Sequence, residues 1–305
     1  MMRARTRLEA LRQRLGAALA GPTLDHSRQP LVSFSPYQPP TLAHPTSQLC
    51  TADQLDEPSY PTWCAAIGEA PKTHRKQWEF VYILSVLDHL GMIAEGRTGL
   101  GFGCGLEPLP AALAARGCRI VATDMDPSGA AAKGWANGQH ARALDDLNAR
   151  GLCPPDAFAA RVDFRVVDMN AVPRDLDGRF DFCWSACAFE HLGSIDKGLD
   201  FFVRSLDCLR PGGVAVHTTE FNLSSDDDTV DHANTVIFRR RDLERLARRL
   251  VAAGHTVLPL NFNVGDRALD RHLDVAPYRP DRHLRLRLGR YAATSVGLVA
   301  LRGAD

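Results

Sequence analysis

The 305-residue sequence has no excess charge of either sign, because 36 lysines and arginines balance 36 aspartates and glutamates. A balanced chain gives no electrostatic reason to expect a nucleic-acid or anionic-membrane partner. The sequence also lacks any apolar run near the ~20 residues needed to cross a bilayer, so no membrane span is predicted. Lysine is scarce, and the only four are Lys72, Lys76, Lys133 and Lys197. Arginine replaces it elsewhere, which is typical of a GC-rich genome and indicates a bacterial source.

The sequence contains eight cysteines, but their spacing indicates neither a disulfide framework nor a zinc site. Most lie within apolar runs, which is typical of buried free thiols. Cys183 and Cys187 are four residues apart and lack a second ligand pair. The acidic run at 226–232 is better explained as a solvated loop than as a metal site. We therefore expect no bound metal and a reducing, cytoplasmic location.

Composition divides the chain at about residue 75. Residues 1–75 are predicted to form an N-terminal helix followed by an irregular extension rich in proline, serine and threonine. The helix is indicated by leucines at near-helical spacing, at Leu8, Leu11, Leu15 and Leu19. Residues 76–305 are predicted to form the main domain, which starts with a mostly buried helix from Lys76 to about Gly91.

Strand-like and helix-like runs alternate through the main domain. After an apolar run that ends near Gly101, strand-like runs lie at 119–124, 162–168, 180–185 and 214–218, and helix-like runs lie at 109–116, 200–209 and 241–253. Two further strands are expected at 255–262 and 294–301. Such alternation implies right-handed crossovers, so the predicted fold class is α/β, with a doubly wound, mostly parallel sheet and helices on both faces.

A glycine-rich loop follows the first strand of this domain. Glycine at positions 101, 103 and 105 permits a tight turn and lets the backbone approach a ligand closely. Asp124 ends the next strand, where a carboxylate can accept hydrogen bonds from ribose hydroxyls. Asp168 ends the third strand and can hold an adenine amino group, while Met169 can pack on the ring. The predicted cofactor site comprises Gly101, Gly103, Gly105, Asp124, Met125, Asp168, Met169 and Ser185.

These motifs, together with the runs at 180–185 and 209–213, resemble the class I S-adenosylmethionine-dependent methyltransferases over residues 76–305. The resemblance implies a seven-stranded sheet whose last strand is antiparallel. It also implies that the glycine loop faces the methionine part of the cofactor, Asp124 the ribose and Asp168 the adenine. Many members carry an acid two residues before the first glycine of the loop, where this sequence has Gly99. Contact with the methionine amino group is then expected from backbone or from Glu107.

A nicotinamide-dependent oxidoreductase is the rival interpretation of the same fold. Its fingerprint needs a small third residue, and Leu106 stands there instead. Pro108 and Pro110 remove N–H groups that a diphosphate would need at the start of the helix. Because a sulfonium cofactor has no phosphate to bind, the sequence favours methyl transfer.

Catalytic candidates follow the fourth and fifth strands, where a methyl acceptor is expected. His191 has a near-neutral intrinsic pKa suited to accepting a hydroxyl proton. His217 and Glu220 lie at the end of the fifth strand, although strand alternation places them on opposite faces. A charged segment at 72–79 is a candidate lid, in which Trp78 and Glu79 face the cofactor or Trp78 is simply core.

The predicted function is methylation of a hydroxyl group on a sugar, a glycan or another hydroxylated small molecule. Bacterial methyltransferases with a similar pattern, His191 and the run 217–222 included, are often thought to modify such acceptors. N-methylation of a small molecule is the nearest alternative, because it needs less help from a base. A nicotinamide-dependent oxidoreductase or a non-catalytic nucleotide-binding module would be a different class of protein.

Overall fold

The computed structural model describes residues 38–125 and 144–304, which form ten strands and eight α-helices. The strands are β1 (Ser47–Gln48), β2 (Thr98–Gly101), β3 (Arg119–Asp124), β4 (Val162–Val166), β5 (Phe180–Ala186), β6 (Leu209–Asn222), β7 (Thr256–Val257), β8 (Leu260–Asn261), β9 (Leu286–Leu288) and β10 (Tyr291–Leu301). The helices are α1 (Ala52–Leu55), α2 (Ser59–Ala66), α3 (Arg75–His89), α4 (Leu109–Ala114), α5 (Pro155–Arg161), α6 (Ile195–Asp207), α7 (Arg240–Ala252) and α8 (Ala268–Arg271).

The main sheet has the strand order β4-β3-β2-β5-β6-β10-β7, and β9 pairs with β10 outside this path. Strands β2 to β6 are parallel, and β10 runs antiparallel to β6. The predicted α/β fold with a mostly parallel sheet is therefore confirmed. Because β2 is flanked by β3 on one side and β5 on the other, the order reverses at β2. The loops that follow β2 and β5 consequently open a crevice at the carboxyl edge of the sheet.

Three sequence predictions need correction. The run 255–262 is not one strand, because Pro259 lacks an N–H group and separates β7 in the main sheet from β8, which pairs with β1. The third strand ends at Val166, and Asp168 instead caps a short 3-10 turn. The segment expected to be irregular contains α1 and α2 in its described part.

Two further expectations fall on other parts of the chain. The predicted N-terminal helix lies outside the described residues. Within residues 38–125 and 144–304, no helix has the length and apolarity that a membrane crossing requires.

Helix α3 is the buried helix predicted from residue 76, and it begins at Arg75 because the His74 imidazole accepts a hydrogen bond from the Lys76 N–H. Trp78 is core, since its ring stacks on Tyr82 and its Nε1–H donates to Gln54 at 2.8 Å. Tyr82 in turn lies against Gly297 of β10, where an added Cβ would come 2.0 Å from the ring. The missing side chain at Gly297 therefore lets α3 lie close against the sheet.

His217 points from β6 into the core beneath α6 and is fully buried. The Ser205 hydroxyl donates to the Phe202 carbonyl, so it accepts the Nε2–H of His217 at 3.0 Å. Nδ1 must then accept from the Ser185 hydroxyl at 2.8 Å. Burial lowers the pKa of His217 to about 3, which keeps the ring neutral. Both side chains therefore form their hydrogen bonds inside the core, which leaves His217 without the expected catalytic role and Ser185 without the expected cofactor contact.

Replacement of Gly297 by alanine tests the packing of α3. The new methyl group collides with the Tyr82 ring, so we expect the free energy of unfolding in urea to fall by ~1–3 kcal/mol. In a Tyr82→Ala background the same replacement should cost almost nothing, because the ring is gone. An equal cost in both backgrounds would contradict the assigned contact.

The buried His217 predicts a pH dependence of stability. Its folded pKa lies below its unfolded value of ~6.5, so the unfolded chain binds the proton first and stability falls as the pH falls through this window. We expect His217 to contribute a slope of up to ~1.4 kcal/mol per pH unit between about pH 6 and pH 4. The neutral variant His217→Gln should lose this contribution in urea unfolding measured from pH 7 to pH 4. Parallel curves for the two proteins would show that the imidazole is not held neutral.

Candidate functional site

The glycine loop lies at the crevice, and Gly101 and Gly103 have no room for side chains. Gly103 and Gly105 adopt φ values of 58° and 51°, in the left-handed region that favours glycine. A Cβ at Gly101 would come 2.5 Å from the Trp184 ring, and one at Gly103 would come 2.9 Å from the Cβ of Ala188. The loop backbone is therefore packed on β5 and on the turn that follows it.

Asp124 ties the glycine loop to the end of β3. Its buried carboxylate accepts hydrogen bonds from the Gly105 N–H at 3.1 Å and from the Met125 N–H at 2.7 Å. Met169 approaches from the other side, with its sulfur 3.3 Å from the position that a Cβ of Gly103 would occupy. Asp168 stays exposed at the rim and accepts from the Asn170 N–H at 2.8 Å. The fold thus brings together the predicted glycines, Asp124, Met125 and Met169, with Asp168 beside them.

The amino end of α3 delivers a buried carboxylate to the same edge of the sheet. Glu79 Oε1 accepts from Arg75 Nη1 at 3.2 Å, from Ser295 Oγ at 2.5 Å and from Cys187 Sγ at 3.0 Å. Glu79 Oε2 accepts from Lys76 Nζ at 3.0 Å. Burial opposes ionisation, but Lys76, Arg75 and these hydrogen bonds outweigh it and hold the pKa of Glu79 below its ordinary value. Glu79 is therefore ionised and compensated.

Glu190 and Glu220 form a second acidic group beside it, and both are buried. Glu220 Oε1 pairs with Arg75 Nη2 at 2.5 Å, whereas Glu220 Oε2 is buried without a hydrogen-bond partner among the described residues. Glu190 Oε2 accepts from Thr219 Oγ1 at 3.0 Å. Burial raises the pKa of each carboxyl to about 7, an effect that Arg75 offsets only in part at Glu220. The two carboxyls therefore share a proton near neutral pH.

The charges of this acidic cluster, which we define as Arg75, Lys76, Glu79, Glu190 and Glu220, do not balance. Three buried carboxyls face two cations, so full ionisation leaves one negative charge in excess. Burial of an uncompensated charge is costly, and a proton on the Glu190–Glu220 pair removes it. The cluster is thus built to take up and release one proton.

His191 lies between the acidic cluster and the protein surface. Its Nδ1 lies 2.9 Å from the Asn234 carbonyl oxygen, to which it must donate, so the basic lone pair is on Nε2. Nε2 lies 3.9 Å from Glu190 Oε1, and a quarter of the side chain is exposed. Burial lowers the pKa of His191. Of the three predicted catalytic residues, the fold brings His191 and Glu220 to the site and places His217 in the core.

The site also contains three residues that were not predicted from the sequence, Arg75, Cys187 and Glu190. The i, i+4 spacing of Arg75 and Glu79 on α3 is a signal for an ion pair, but it does not reveal that the pair is buried. Glu190 directly precedes the histidine that was singled out. Its burial depends on the turn after β5, where Cys187 adopts a left-handed φ of 49° that no sequence pattern predicts.

Cys187, Glu190 and Glu220 also bring one sulfur and two carboxylate oxygens within 4.8 Å of one another, a spacing that a metal ion can use. In the structure, however, the Cys187 thiol donates a hydrogen bond to Glu79, and Glu220 is paired with Arg75. Both interactions compete with metal binding. The acidic loop at 226–232 is largely engaged as well, since Arg241 and Arg290 pair with Asp227 and Asp228.

The crevice fits S-adenosylmethionine. The glycine loop has bare backbone at Gly101, Gly103 and Gly105, and Asp124 offers a buried carboxylate at the end of β3, as a ribose requires. Prolines at the start of α4 leave few N–H groups for a phosphate, and this cofactor has none.

The comparison with known families agrees with this geometry. Residues 100–217 match the family model described as a methyltransferase domain. No curated protein sequence matches the chain. Among solved structures, the 1,6-didemethyltoxoflavin-N1-methyltransferase of Burkholderia thailandensis is 17% identical, with a TM-score of 0.42 over 83% of this chain and 82% of that one.

Two other solved structures are similar at the same level. An O-methyltransferase family protein from Burkholderia thailandensis is 15% identical over 76% of this chain, with a TM-score of 0.42. The arsenic(III) S-adenosylmethionine methyltransferase of Chlamydomonas reinhardtii is 17% identical over 68% of this chain, with a TM-score of 0.40. The matches cover 60% and 64% of the lengths of these two proteins. The family match and the glycine loop together identify residues 100–217 as a class I methyltransferase domain that uses S-adenosylmethionine.

Proposed function

We propose that the protein transfers the methyl group of S-adenosylmethionine to a hydroxyl group of a sugar, a glycan or another hydroxylated small molecule. The observation that supports this proposal is Glu220, whose Oε2 is a buried acceptor without a partner among the described residues. An unpaired buried acceptor is costly unless a ligand supplies a donor. A hydroxyl group that donates to Glu220 Oε2 meets this requirement.

The chemistry of methyl transfer gives this hydrogen bond a purpose. S-adenosylmethionine supplies an electrophilic methyl group, and an acceptor hydroxyl must lose its proton as the new bond to carbon forms. A carboxylate whose pKa lies near 7 is well matched to accept that proton at neutral pH. In the proposal Glu220 is the general base, and the Glu190–Glu220 pair stores the proton.

Arg75 and His191 have supporting roles in this proposal. Arg75 holds Glu220 through Oε1 and so keeps Oε2 directed away from the ion pair. His191 is partly exposed and has Nε2 beside Glu190, so it can carry the stored proton to solvent. Its role would be to restore the ionised pair after each turnover.

N-methylation of a small molecule is the second candidate. It is favoured by the excess negative charge of the acidic cluster. A cationic amine would balance the cluster, and the same carboxylates would accept its proton. The two candidates differ in the atom that receives the methyl group, which product analysis after transfer from methyl-labelled S-adenosylmethionine distinguishes.

Glu220→Gln tests the proposed base. We expect kcat for labelled methyl transfer to a panel of hydroxylated acceptors to fall by ~100-fold or more, because an amide cannot accept the proton. Affinity for S-adenosylhomocysteine should stay within twofold. Glu95→Gln is the matched control and should leave kcat unchanged, because the Glu95 carboxyl is largely exposed and lies far from Glu220 in the sequence. Full activity in Glu220→Gln would eliminate Glu220 as the base.

The pH profile gives a second test. The base must be ionised to act, so kcat/KM of the wild-type enzyme should rise with pH through about 7 and then level off. In Glu190→Gln the inflection should move to lower pH, because the repulsion between the two carboxylates is removed. A profile that is flat from pH 5.5 to 8.5 in both proteins would contradict a carboxyl base.

A further inference from the structure

The position two residues before the glycine loop cannot hold a carboxylate in this protein. Gly99 lies in β2, and a Cβ built on it would come 2.4 Å from two atoms of the Phe182 ring and 3.0 Å from Ile120 Cδ1. The Phe182 ring therefore fills the space that a side chain at Gly99 would need. Any acid that faces the methionine part of the cofactor must come from elsewhere in the chain.

Glu107 is such an acid, two residues beyond the last glycine of the loop. Its side chain is buried, and Oε1 accepts from Trp184 Nε1–H at 2.7 Å. Trp184 also packs against Gly101, so the indole fixes the carboxyl directly beside the glycine loop. Phe182 and Trp184 are neighbours on the same face of β5, and one fills the Gly99 position while the other orients Glu107.

The described residues around Glu107 provide hydrogen bonds but no cation in direct contact with its carboxyl. No lysine or arginine of residues 38–125 and 144–304 forms an ion pair with it. Lys76 on α3 acts on it from a distance, Asp124 on β3 repels it, and Cys104 in the loop and Trp184 on β5 form hydrogen bonds with it. Burial is the largest effect and raises the pKa of Glu107 to about 8. A cation in contact with Glu107 would favour its ionised form and compensate the buried charge.

The methionine part of S-adenosylmethionine carries one such cation, its α-ammonium group. We propose that Glu107 is the residue that binds the α-ammonium group of the cofactor, in place of an acid at position 99. The inference depends on the cofactor but not on the proposed acceptor or base. It makes Glu107 a binding residue rather than a catalytic one.

A consequence is that cofactor binding is linked to a proton. Near pH 7 the free protein holds Glu107 largely protonated, and the ammonium group favours the ionised form, so binding releases a proton. Affinity should therefore rise with pH between pH 6 and 7.5, by up to ~10-fold per pH unit. The Glu190–Glu220 pair also titrates in this range, so the experiment must separate the two sources.

Calorimetry with two ligands makes this separation. S-adenosylhomocysteine carries the α-ammonium group, whereas 5′-methylthioadenosine has the same nucleoside and thioether without it. For the wild-type protein, titrations at pH 7 in buffers of different ionisation enthalpy should show proton release with S-adenosylhomocysteine and little with 5′-methylthioadenosine. This comparison needs no variant and so does not depend on how a substitution folds.

Glu107→Gln supplies the second measurement. It should weaken S-adenosylhomocysteine by ~10- to 100-fold and abolish the proton release, while 5′-methylthioadenosine stays within twofold. Glu220→Gln is the matched control and should keep the proton release. Equal weakening of both ligands would show a structural role only, and no weakening of either would overturn the proposal, as would equal proton release with both ligands in the wild type.

The outcomes of these binding measurements can be distinguished from a failure of the proposed function. If Glu107→Gln behaves as expected but no hydroxyl is methylated, the ammonium site stands and the acceptor assignment fails. If hydroxyl transfer is observed while Glu107→Gln binds both ligands normally, the reverse holds.

Discussion

The structure depends on the compensation of charge beneath the amino end of α3. The amino end of α3 supplies both cations and one of the three carboxyls of the acidic cluster, whereas β6 supplies Glu220 and the turn after β5 supplies Glu190. Because the three carboxyls are buried, each negative charge must be paired or neutralised by a proton. Ion pairs satisfy Glu79 fully and Glu220 only through one oxygen. In the proposed function, Glu220 Oε2 and the proton shared by Glu190 and Glu220 provide the acid–base chemistry at this edge of the sheet.

The sheet and the helix packing explain why these groups meet. Gly297 allows α3 to lie close to β10, and this contact sets the position from which Arg75 reaches Glu220. Glycine therefore matters at two positions. Gly297 lets α3 pack close to the sheet, and Gly99 has no carboxylate. At Gly99 the space is taken by Phe182, and the carboxylate is displaced along the chain to Glu107, which Trp184 holds. The acidic cluster and the pocket for the cofactor thus each depend on a close contact at a glycine.

Much of the fold could be predicted, because glycine punctuation and the alternation of strands and helices are local signals that the sheet preserves. Gly101, Gly103, Gly105 and Asp124 were predictable for the same reason, since they follow two neighbouring parallel strands. His217 was not, because a histidine at the end of a strand has the same pattern whether it faces a crevice or two serine hydroxyls in the core. Arg75 and Glu190 were missed because their meeting depends on a helix and a turn far apart in sequence. Pro259 shows the opposite case, in which a local signal for a strand break was present and overlooked.

The proposed function requires that Glu220 face the methyl group of the cofactor across a space that an acceptor hydroxyl can occupy. A crystal structure with S-adenosylhomocysteine tests this placement most directly. We expect Glu220 Oε2 to border the space in line with the sulfur atom, on the side away from the nucleoside, with Arg75 behind it. A sulfur atom that faces another wall of the crevice, with the acidic cluster sealed from it by protein, would contradict the proposed base.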